Sequence, residues 1–200
     1  MDFLFNTDDD YILEDDCVLL RPLQPDDRNN LQVFALNEPD LWKFSLIPVA
    51  GEEHLKKYIE AALTGRKAGK EYPFIVFDKR KQEYAGGTRF YDIQLASKVL
   101  QLGYTWYGKA FQGSGLNKHC KYLLLQFAFE KLGMERVEFR ADNNNQRSIA
   151  AMKSIGCTVE GVLRSNAPKP DGTRRDSIIL SILKTEWEGH IKNALSKQLV

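Results

Sequence analysis

The chain has 200 residues, of which 43% are hydrophobic and 28% charged, proportions typical of one globular domain with a sizeable core. The formal net charge is only +1, so there is no global attraction to nucleic acid or to an anionic membrane, and we expect no direct nucleic-acid binding. The sequence has no C-x-x-C pair, no apolar run approaching ~18 residues and no signal-like N-terminus, which predicts a reduced, soluble, cytoplasmic protein without a membrane span or metal site.

The first half of the chain is predicted to open with a loose segment and then to contain strands and helices. Residues 1–16 carry seven acids and little periodicity, so we expect a mostly loose, acidic lead-in. Pro22 and Pro25 should end the first strand, and Asp26 or Asp27 can cap the helix that follows. Short polar turns between the later strands imply antiparallel pairing. In chain order, the predicted elements are a strand over Cys17–Leu23, a helix to about Asn37, a connecting loop over Trp42–Val49, a helix over Glu52–Arg66, and strands over Tyr72–Phe77, Glu83–Ile93 and Lys98–Tyr107.

The second half begins with a helix and then supplies the remaining strands. Apolar residues from Leu116 to Ala128 recur at helical spacing, which predicts an amphipathic helix. The alternating strand Arg136–Ala141 comes after that helix, so it can lie parallel to Lys98–Tyr107 through a right-handed crossover. Together the elements predict a single mixed α/β (α+β) domain with a central, mostly antiparallel sheet flanked by helices. The remaining predicted elements are a helix over Gln146–Ile155, strands over Cys157–Arg164 and Asp176–Leu183 joined by a long turn around Pro170–Gly172, and a last short helix capped by Thr185 and reaching about Leu199.

A glycine-rich turn, Phe111–Lys118, lies between the strand ending at Tyr107 and the amphipathic helix. Such a turn points unpaired backbone N–H groups at one spot, and the positive end of the helix dipole adds to the potential there. No acid occurs from Ile93 to Phe129, although 27 acids in 200 residues would give about five in that window. Helix starts prefer acids, but this one carries Lys118 and Lys121. A bound phosphate would explain these two lysines. The alternative interpretation is a solvated helix start that is basic and binds nothing.

Two nucleotide-binding motifs fit this turn poorly. A P-loop needs a lysine after its second glycine, and Gly113 is followed by Ser114. A dinucleotide fingerprint needs a third glycine, and this chain has none near His119. The segment Gln112–Asn117 instead resembles the Q/R-x-x-G-x-G/A loop of the GCN5-related N-acetyltransferases (GNAT), with Asn117 at the final small position.

Further segments extend this resemblance over most of the chain, from about Cys17 to Trp187. They are Val18–Leu23, Asn145–Ser148, Met152–Cys157, Val159–Arg164, Asp171–Gly172, Asp176 and Leu183–Trp187. Their order is similar to that of the branch typified by the RimJ and RimL acetylases of ribosomal-protein N-termini. The resemblance implies that residues 17–187 form an N-acetyltransferase domain and residues 188–200 a C-terminal helical tail.

The resemblance also implies a cofactor and the residues that hold it. In the family, the loop cradles the pyrophosphate of acetyl-coenzyme A (acetyl-CoA), and the backbone of the preceding strand pairs with the pantetheine amides. Asn145 is implied to contact the pantetheine arm, to cap its helix, or both. The implied cofactor-binding residues are Tyr104, Thr105, Trp106, Gln112, Gly113, Ser114, Gly115, Leu116, Asn117, Lys118 and Asn145.

Two side chains are candidates for catalysis. The resemblance makes Glu160 a candidate general base; the alternative is a half-exposed strand acid paired with Arg164. Ser148 is a candidate proton donor to the leaving thiolate, although a hydroxyl in the first turn of a helix often only caps it. The cysteines show no partnered histidine, so nucleophilic catalysis by a cysteine is not expected. The isolated histidines expected at the surface are His54, His119 and His190.

The expected function is direct transfer of an acetyl group from acetyl-CoA to a primary amine, with a protein N-terminal α-amine as the first candidate. Roughly a tenth of α-amines are neutral at pH 7, against fewer than about one in a thousand lysine side chains, so a weak base suffices for an α-amine. The alternatives are a small-molecule amine acceptor and a non-catalytic CoA-binding module. The sequence leaves open the acceptor and whether the chain forms a homodimer.

Overall fold

The structure is a computed structural model that describes residues 5–199. Its strands are β1 Leu13–Glu14, β2 Val18–Pro22, β3 Glu71–Asp78, β4 Glu83–Gln94, β5 Val99–Tyr107, β6 Arg136–Asp142, β7 Thr158–Pro168 and β8 Arg174–Leu183. Its α-helices are α1 Arg28–Asn37, α2 Glu52–Lys67, α3 Leu116–Gln126, α4 Gln146–Ser154, α5 Lys184–Glu186 and α6 Lys192–Ser196. A π-helical segment, Phe127–Lys131, extends α3, and another, Trp187–Ile191, joins α5 to α6.

All eight strands form one sheet in the spatial order β1-β2-β3-β4-β5-β6-β8-β7. Neighbouring strands run antiparallel except β5 and β6, which are parallel and are connected through α3. The prediction of a mixed α/β domain with a mostly antiparallel sheet and one crossover is confirmed.

Helices cover both faces of the sheet, and consecutive residues of β5 identify which helix lies on which face. Trp106 packs against Phe34 of α1, with ring centroids 5.7 Å apart, and α2 lies beside α1. The hydroxyl of Thr105 accepts a hydrogen bond from Lys121 of α3, on the other side. We call these two sides the α1–α2 face and the α3 face.

Helix α2 buries the apolar face that the sequence predicts. Leu55, Ile59 and Ala62 recur at helical spacing and are almost fully buried against the sheet. Each large apolar side chain buried this way stabilises the fold by about 1.5–3 kcal/mol. Acids in the first turn and bases in the last turn of α2 complement its dipole. No helix within residues 5–199 is both long and apolar enough to cross a lipid bilayer.

The expected loose lead-in is wrong for residues 5–16, which pack onto the domain; residues 1–4 lie outside the described part of the chain. Leu13–Glu14 pairs with β2, although the surrounding segment is acidic. Phe5 is buried, and the ring of Tyr11 lies 5.1 Å from that of Phe127. Aromatic side chains between the acids therefore give this segment enough apolar surface to be held in place.

Two predicted helix caps are also wrong. The last helical segment begins before Thr185, and the carboxylate of Glu186 accepts the N–H of Leu183 at 2.8 Å. Asp27 directly precedes α1, but its side chain does not cap that helix. Its buried carboxylate instead forms a 2.6 Å ion pair with Arg21, a charge-assisted contact stronger than a cap.

Candidate active site

The sheet opens where β5 and β6 part. The parallel ladder uses only Val99–Gln101 of β5 and Arg136–Glu138 of β6, although both strands continue. We call the gap between Leu102–Tyr107 and Phe139–Asp142 the interstrand cleft. Strand backbone without a neighbour on one side can pair with an extended ligand.

β5 carries a bulge at this cleft. Gly87 of β4 pairs with Trp106, and Arg89 pairs with Gly103, so β5 has one more residue than β4 between these two pairs. Tyr104, inside the bulge, has a φ of 50°, a region that non-glycine residues rarely adopt. Bulges re-aim side chains and are frequent beside active sites. The residues predicted to contact pantetheine, Tyr104–Trp106, therefore lie along the cleft at a local distortion.

The glycine-rich turn connects the end of β5 to α3. Gly113 and Gly115 have φ values of 72° and 83°, and a Cβ at either would find no atom within 4 Å. The N–H groups of Gly113, Ser114 and Gly115 donate to no other group within residues 5–199. Leu116 begins α3, so the positive end of the helix dipole acts at the same place. This geometry suits an anion such as a phosphate.

A second basic group stands beside this turn. The amide of Gln112 donates to the carbonyl of Tyr107 at 2.8 Å, and its oxygen accepts from Arg147, in the first turn of α4. Arg147 is exposed and brings positive charge to the turn through Gln112, and the half-buried Lys118 lies in the first turn of α3. Sequence reasoning missed Arg147 as a site residue, because only the tertiary structure joins α4 to the turn.

The start of α4 lies at the same end of the sheet as the turn. Asn145 is the N-cap of α4, and its side chain accepts the N–H of Ser148 at 3.1 Å, which confirms the capping role. The hydroxyl of Ser148 is half-buried and makes no hydrogen bond within the described residues. The structure therefore brings Asn145 and Ser148 near the cleft and leaves the Ser148 hydroxyl able to donate.

Lys121 points away from the turn. Only 5% of this residue is exposed, and its ammonium donates to the hydroxyl of Thr105 in the bulge at 2.9 Å. The prediction that a phosphate at the turn explains Lys121 is therefore wrong, whereas Lys118 stays available for it. Burial lowers the pKa of Lys121 to about 8.

Aromatic rings border the cleft on the α1–α2 face. Trp42, from the predicted connecting loop, packs 5.2 Å from Trp106. Tyr104 is 40% exposed, and the guanidinium of Arg89 lies 4.2 Å from its ring centroid. Arg89 is buried and pairs with Glu71 at 2.6 Å. This face therefore offers partly exposed rings against which an extended ligand could pack.

Glu160 lies away from this cleft. It is on the edge strand β7, where its carboxylate accepts hydrogen bonds from Arg136 and, at 2.7 Å, from Ser181. Ser181 pairs with Glu138, at the closed end of the cleft. The hydrogen bonds from Arg136 lower the pKa of Glu160, which weakens it as a proton acceptor. The geometry corrects the expected ion-pair partner from Arg164 to Arg136 and argues against Glu160 as the base.

His119 is buried, so its predicted surface position is wrong; His54 and His190 are exposed as predicted. His119 Nδ1 lies 2.7 Å from Asp15 Oδ2, and these groups lie within 4.8 Å of the Cys17 thiol. Burial alone would raise the pKa of Asp15, but the hydrogen bonds it accepts outweigh burial and lower it. This cluster ties the N-terminal segment to α3.

The chain is similar to known proteins over nearly its whole length. Residues 18–158 match a family model described as an acetyltransferase (GNAT) domain. The candidate ribosomal N-acetyltransferase YdaF of Bacillus subtilis strain 168 is 28% identical over 182 residues, 86% of this chain and 94% of YdaF. A crystal structure of a candidate acetyltransferase from T. thermophilus is 34% identical, with a TM-score of 0.83, and the match covers 94% of this chain and 97% of that one. RimJ of Mycobacterium smegmatis, solved in complex with CoA-disulfide, shares the fold at 18% identity, with a TM-score of 0.79 and coverage of 94% of this chain and 93% of RimJ.

Proposed function

This chain belongs to the acetyltransferase (GNAT) family, and we propose that it transfers an acetyl group from acetyl-CoA to a primary amine, with a protein N-terminal α-amine as the first candidate. One observation carries the proposal. The turn Gly113–Gly115, with three N–H groups that donate to none of the described residues, lies at the end of a cleft lined by strand backbone that the β5–β6 ladder leaves unpaired. A ligand that joins a diphosphate to an extended amide-containing arm has the shape that these two features would bind.

The residues present fit acetyl-CoA. The N–H groups of Gly113–Gly115 and the start of α3 would hold the pyrophosphate, and Lys118 and Arg147 would balance its charge. The backbone of Tyr104–Trp106 would pair with the amides of the pantetheine arm, on the side of β5 that β6 leaves open. Asn145, at the start of α4, lies at the same end of the cleft. The bound donor supplies a thioester whose carbonyl is already activated for attack by an amine.

The bulge gives this chain a means of polarising that carbonyl. The ladder from β5 to β4 skips Tyr104 and Thr105, and the ladder to β6 ends before them. The bulge therefore orients their backbone N–H groups differently from those of a regular strand. Preorganised donors of this kind stabilise developing negative charge on oxygen. We assign the hydroxyl of Ser148 as a hydrogen-bond donor to the departing sulfur.

An α-amine acceptor needs only weak base catalysis to lose its proton. Its pKa of about 7.7–8.0 leaves roughly a tenth neutral at pH 7, so water or a weakly basic group can accept the proton released on attack. This fits a Glu160 carboxylate that is already engaged by Arg136 and Ser181. The name of YdaF refers to ribosomal N-acetylation, and we extend that acceptor class to this chain as part of the proposal.

Matched acceptors would test the proposal. One peptide would carry a free α-amine and no lysine; its partner would have the same sequence with a blocked N-terminus and one lysine. A polyamine and a free amino acid would stand for small-molecule acceptors. With acetyl-CoA present, we expect acetylation of the free α-amine at the highest rate. Turnover of only the polyamine or amino acid would favour the small-molecule alternative, and binding of acetyl-CoA without any turnover would favour a CoA-binding module.

A further inference from the structure

Lys121 places a buried ammonium in the interstrand cleft, near its closed end. Its Nζ donates to Thr105 in the β5 bulge at 2.9 Å and lies 5.7 Å from the ring centroid of Phe139. Phe139 is the first residue of β6 beyond the ladder to β5. The ammonium therefore lies between the two parting strands on the α3 face, whereas the Tyr104 ring lies on the α1–α2 face.

No carboxylate pairs with this ammonium within residues 5–199. The titratable groups whose electrostatics reach it are Cys120 on its own helix and Cys157 after α4. Burial raises the pKa of each thiol to about 12, so both are neutral near pH 7. Thr105 and Phe139, from the two strands, carry no charge. A buried charge without a counter-ion is costly, so its position at the cleft calls for an explanation.

We propose that Lys121 is the cation that stabilises the thiolate released when the acetyl group leaves its donor. The inference rests on the proposed function. In the transfer, the amine nitrogen forms the new C–N bond and releases one proton. The C–S bond breaks, and the sulfur leaves with the bonding electron pair as a thiolate, which later takes up a proton. Throughout, the ammonium of Lys121 keeps its protons and offsets the negative charge that develops on sulfur.

Two other roles would use the same contacts. Lys121 could serve only to hold the bulge through Thr105, in which case its charge would have no effect on the sulfur. Its amine, with a pKa lowered to about 8, could also be an acceptor and become acetylated itself. Both roles make predictions that differ from those of a thiolate-stabilising cation.

The test compares the binding of CoA, whose thiol can ionise, with that of S-methyl-CoA, whose thioether cannot. Dissociation constants would be measured by calorimetry at pH 6, 7 and 8 for the wild type, Lys121→Met and the exposed-lysine control Lys153→Met. An opposite charge nearby lowers a pKa by about one to three units, and each unit is a tenfold change. In the wild type and the control, the preference for CoA should therefore grow about tenfold from pH 6 to pH 8. In Lys121→Met it should stay constant.

Three outcomes would each overturn the proposed role of Lys121, and they differ from one another. An equal pH dependence in Lys121→Met and the wild type would overturn the inference while leaving the proposed function intact. Failure of the wild type to bind either ligand would remove the proposed function and the inference with it. Mass spectrometry after incubation with acetyl-CoA adds a separate readout: stoichiometric acetylation of Lys121 would make it an acceptor and would also overturn its role as a cation.

Discussion

Replacing Lys121 with methionine should make the protein more stable at neutral pH, by an amount that falls as the pH rises. In the folded protein burial lowers the pKa of Lys121 from 10.5 to about 8. Between these values the unfolded chain binds a proton that the folded chain does not, so the wild type gains stability with rising pH. Below pH 8 both states are protonated, and the full cost of burying the charge is present.

The size of this effect follows from the pKa difference. A shift of about 2.5 units corresponds to about 3 kcal/mol, since one unit is worth about 1.4 kcal/mol. Methionine has no charge and similar length, so Lys121→Met removes this contribution at every pH. The free-energy advantage of the variant should therefore be about 2–3 kcal/mol smaller at pH 10 than at pH 7.

Urea unfolding of both proteins between pH 7 and pH 10 would measure this difference. Cysteines and tyrosines of the unfolded chain also titrate in this range, but they are present in both proteins and cancel in the comparison. Parallel curves, with a stability difference that does not change with pH, would show that Lys121 is not a buried, unpaired cation. A variant that becomes relatively more stable as the pH rises would reverse the sign and refute the reasoning as well.

Three further predictions concern other parts of the site. Glu160→Gln removes an ion pair at the sheet edge, so acetyl transfer should stay within about threefold of the wild type, whereas a loss of 10²–10⁴-fold would restore Glu160 as the base. Arg147→Met should raise the Kd for acetyl-CoA about fivefold at low salt and less at high salt, because the lost contact is exposed; an unchanged Kd at low salt would separate Arg147 from the phosphate site. Gly86→Ala puts a Cβ 2.1 Å from the Trp106 carbonyl, so we expect destabilisation by about 3 kcal/mol or more in urea unfolding; wild-type stability would show that β4 and β5 do not approach so closely at the bulge.

The sequence predicted the elements whose signals are local. Alternation along β6 and helical spacing in α2 and α3 each follow from burial on one face, and the crossover from β5 to β6 follows from the order of elements. The turn at Gly113–Gly115 was equally readable, because positive φ values require glycine there.

The sequence could not predict how polar side chains are partnered across the fold. Lys121 and His119 interrupt the apolar face of α3, and their residue types alone predict exposure. Their partners, Thr105 and Asp15, come from strand β5 and the N-terminal segment, far away in sequence. The ion-pair partner of Glu160 was missed for the same reason: the motif gives its strand, but only the tertiary structure brings its carboxylate to Arg136.

The most direct test of the central claim is binding of acetyl-CoA to Gly115→Asp beside Gly172→Asp. Both glycines have φ values near +80°, 83° and 81°, and both positions face open space. The two substitutions therefore introduce the same strain and the same negative charge, at the turn before α3 and at the turn between β7 and β8, which holds none of the residues assigned to acetyl-CoA.

If the turn at Gly113–Gly115 cradles the pyrophosphate, calorimetry should show wild-type affinity for Gly172→Asp and no measurable binding for Gly115→Asp. Circular dichroism and thermal unfolding without ligand would confirm that both variants are folded. Equal affinity of the two variants for acetyl-CoA would contradict the assignment of this turn and, with it, the proposed cofactor site.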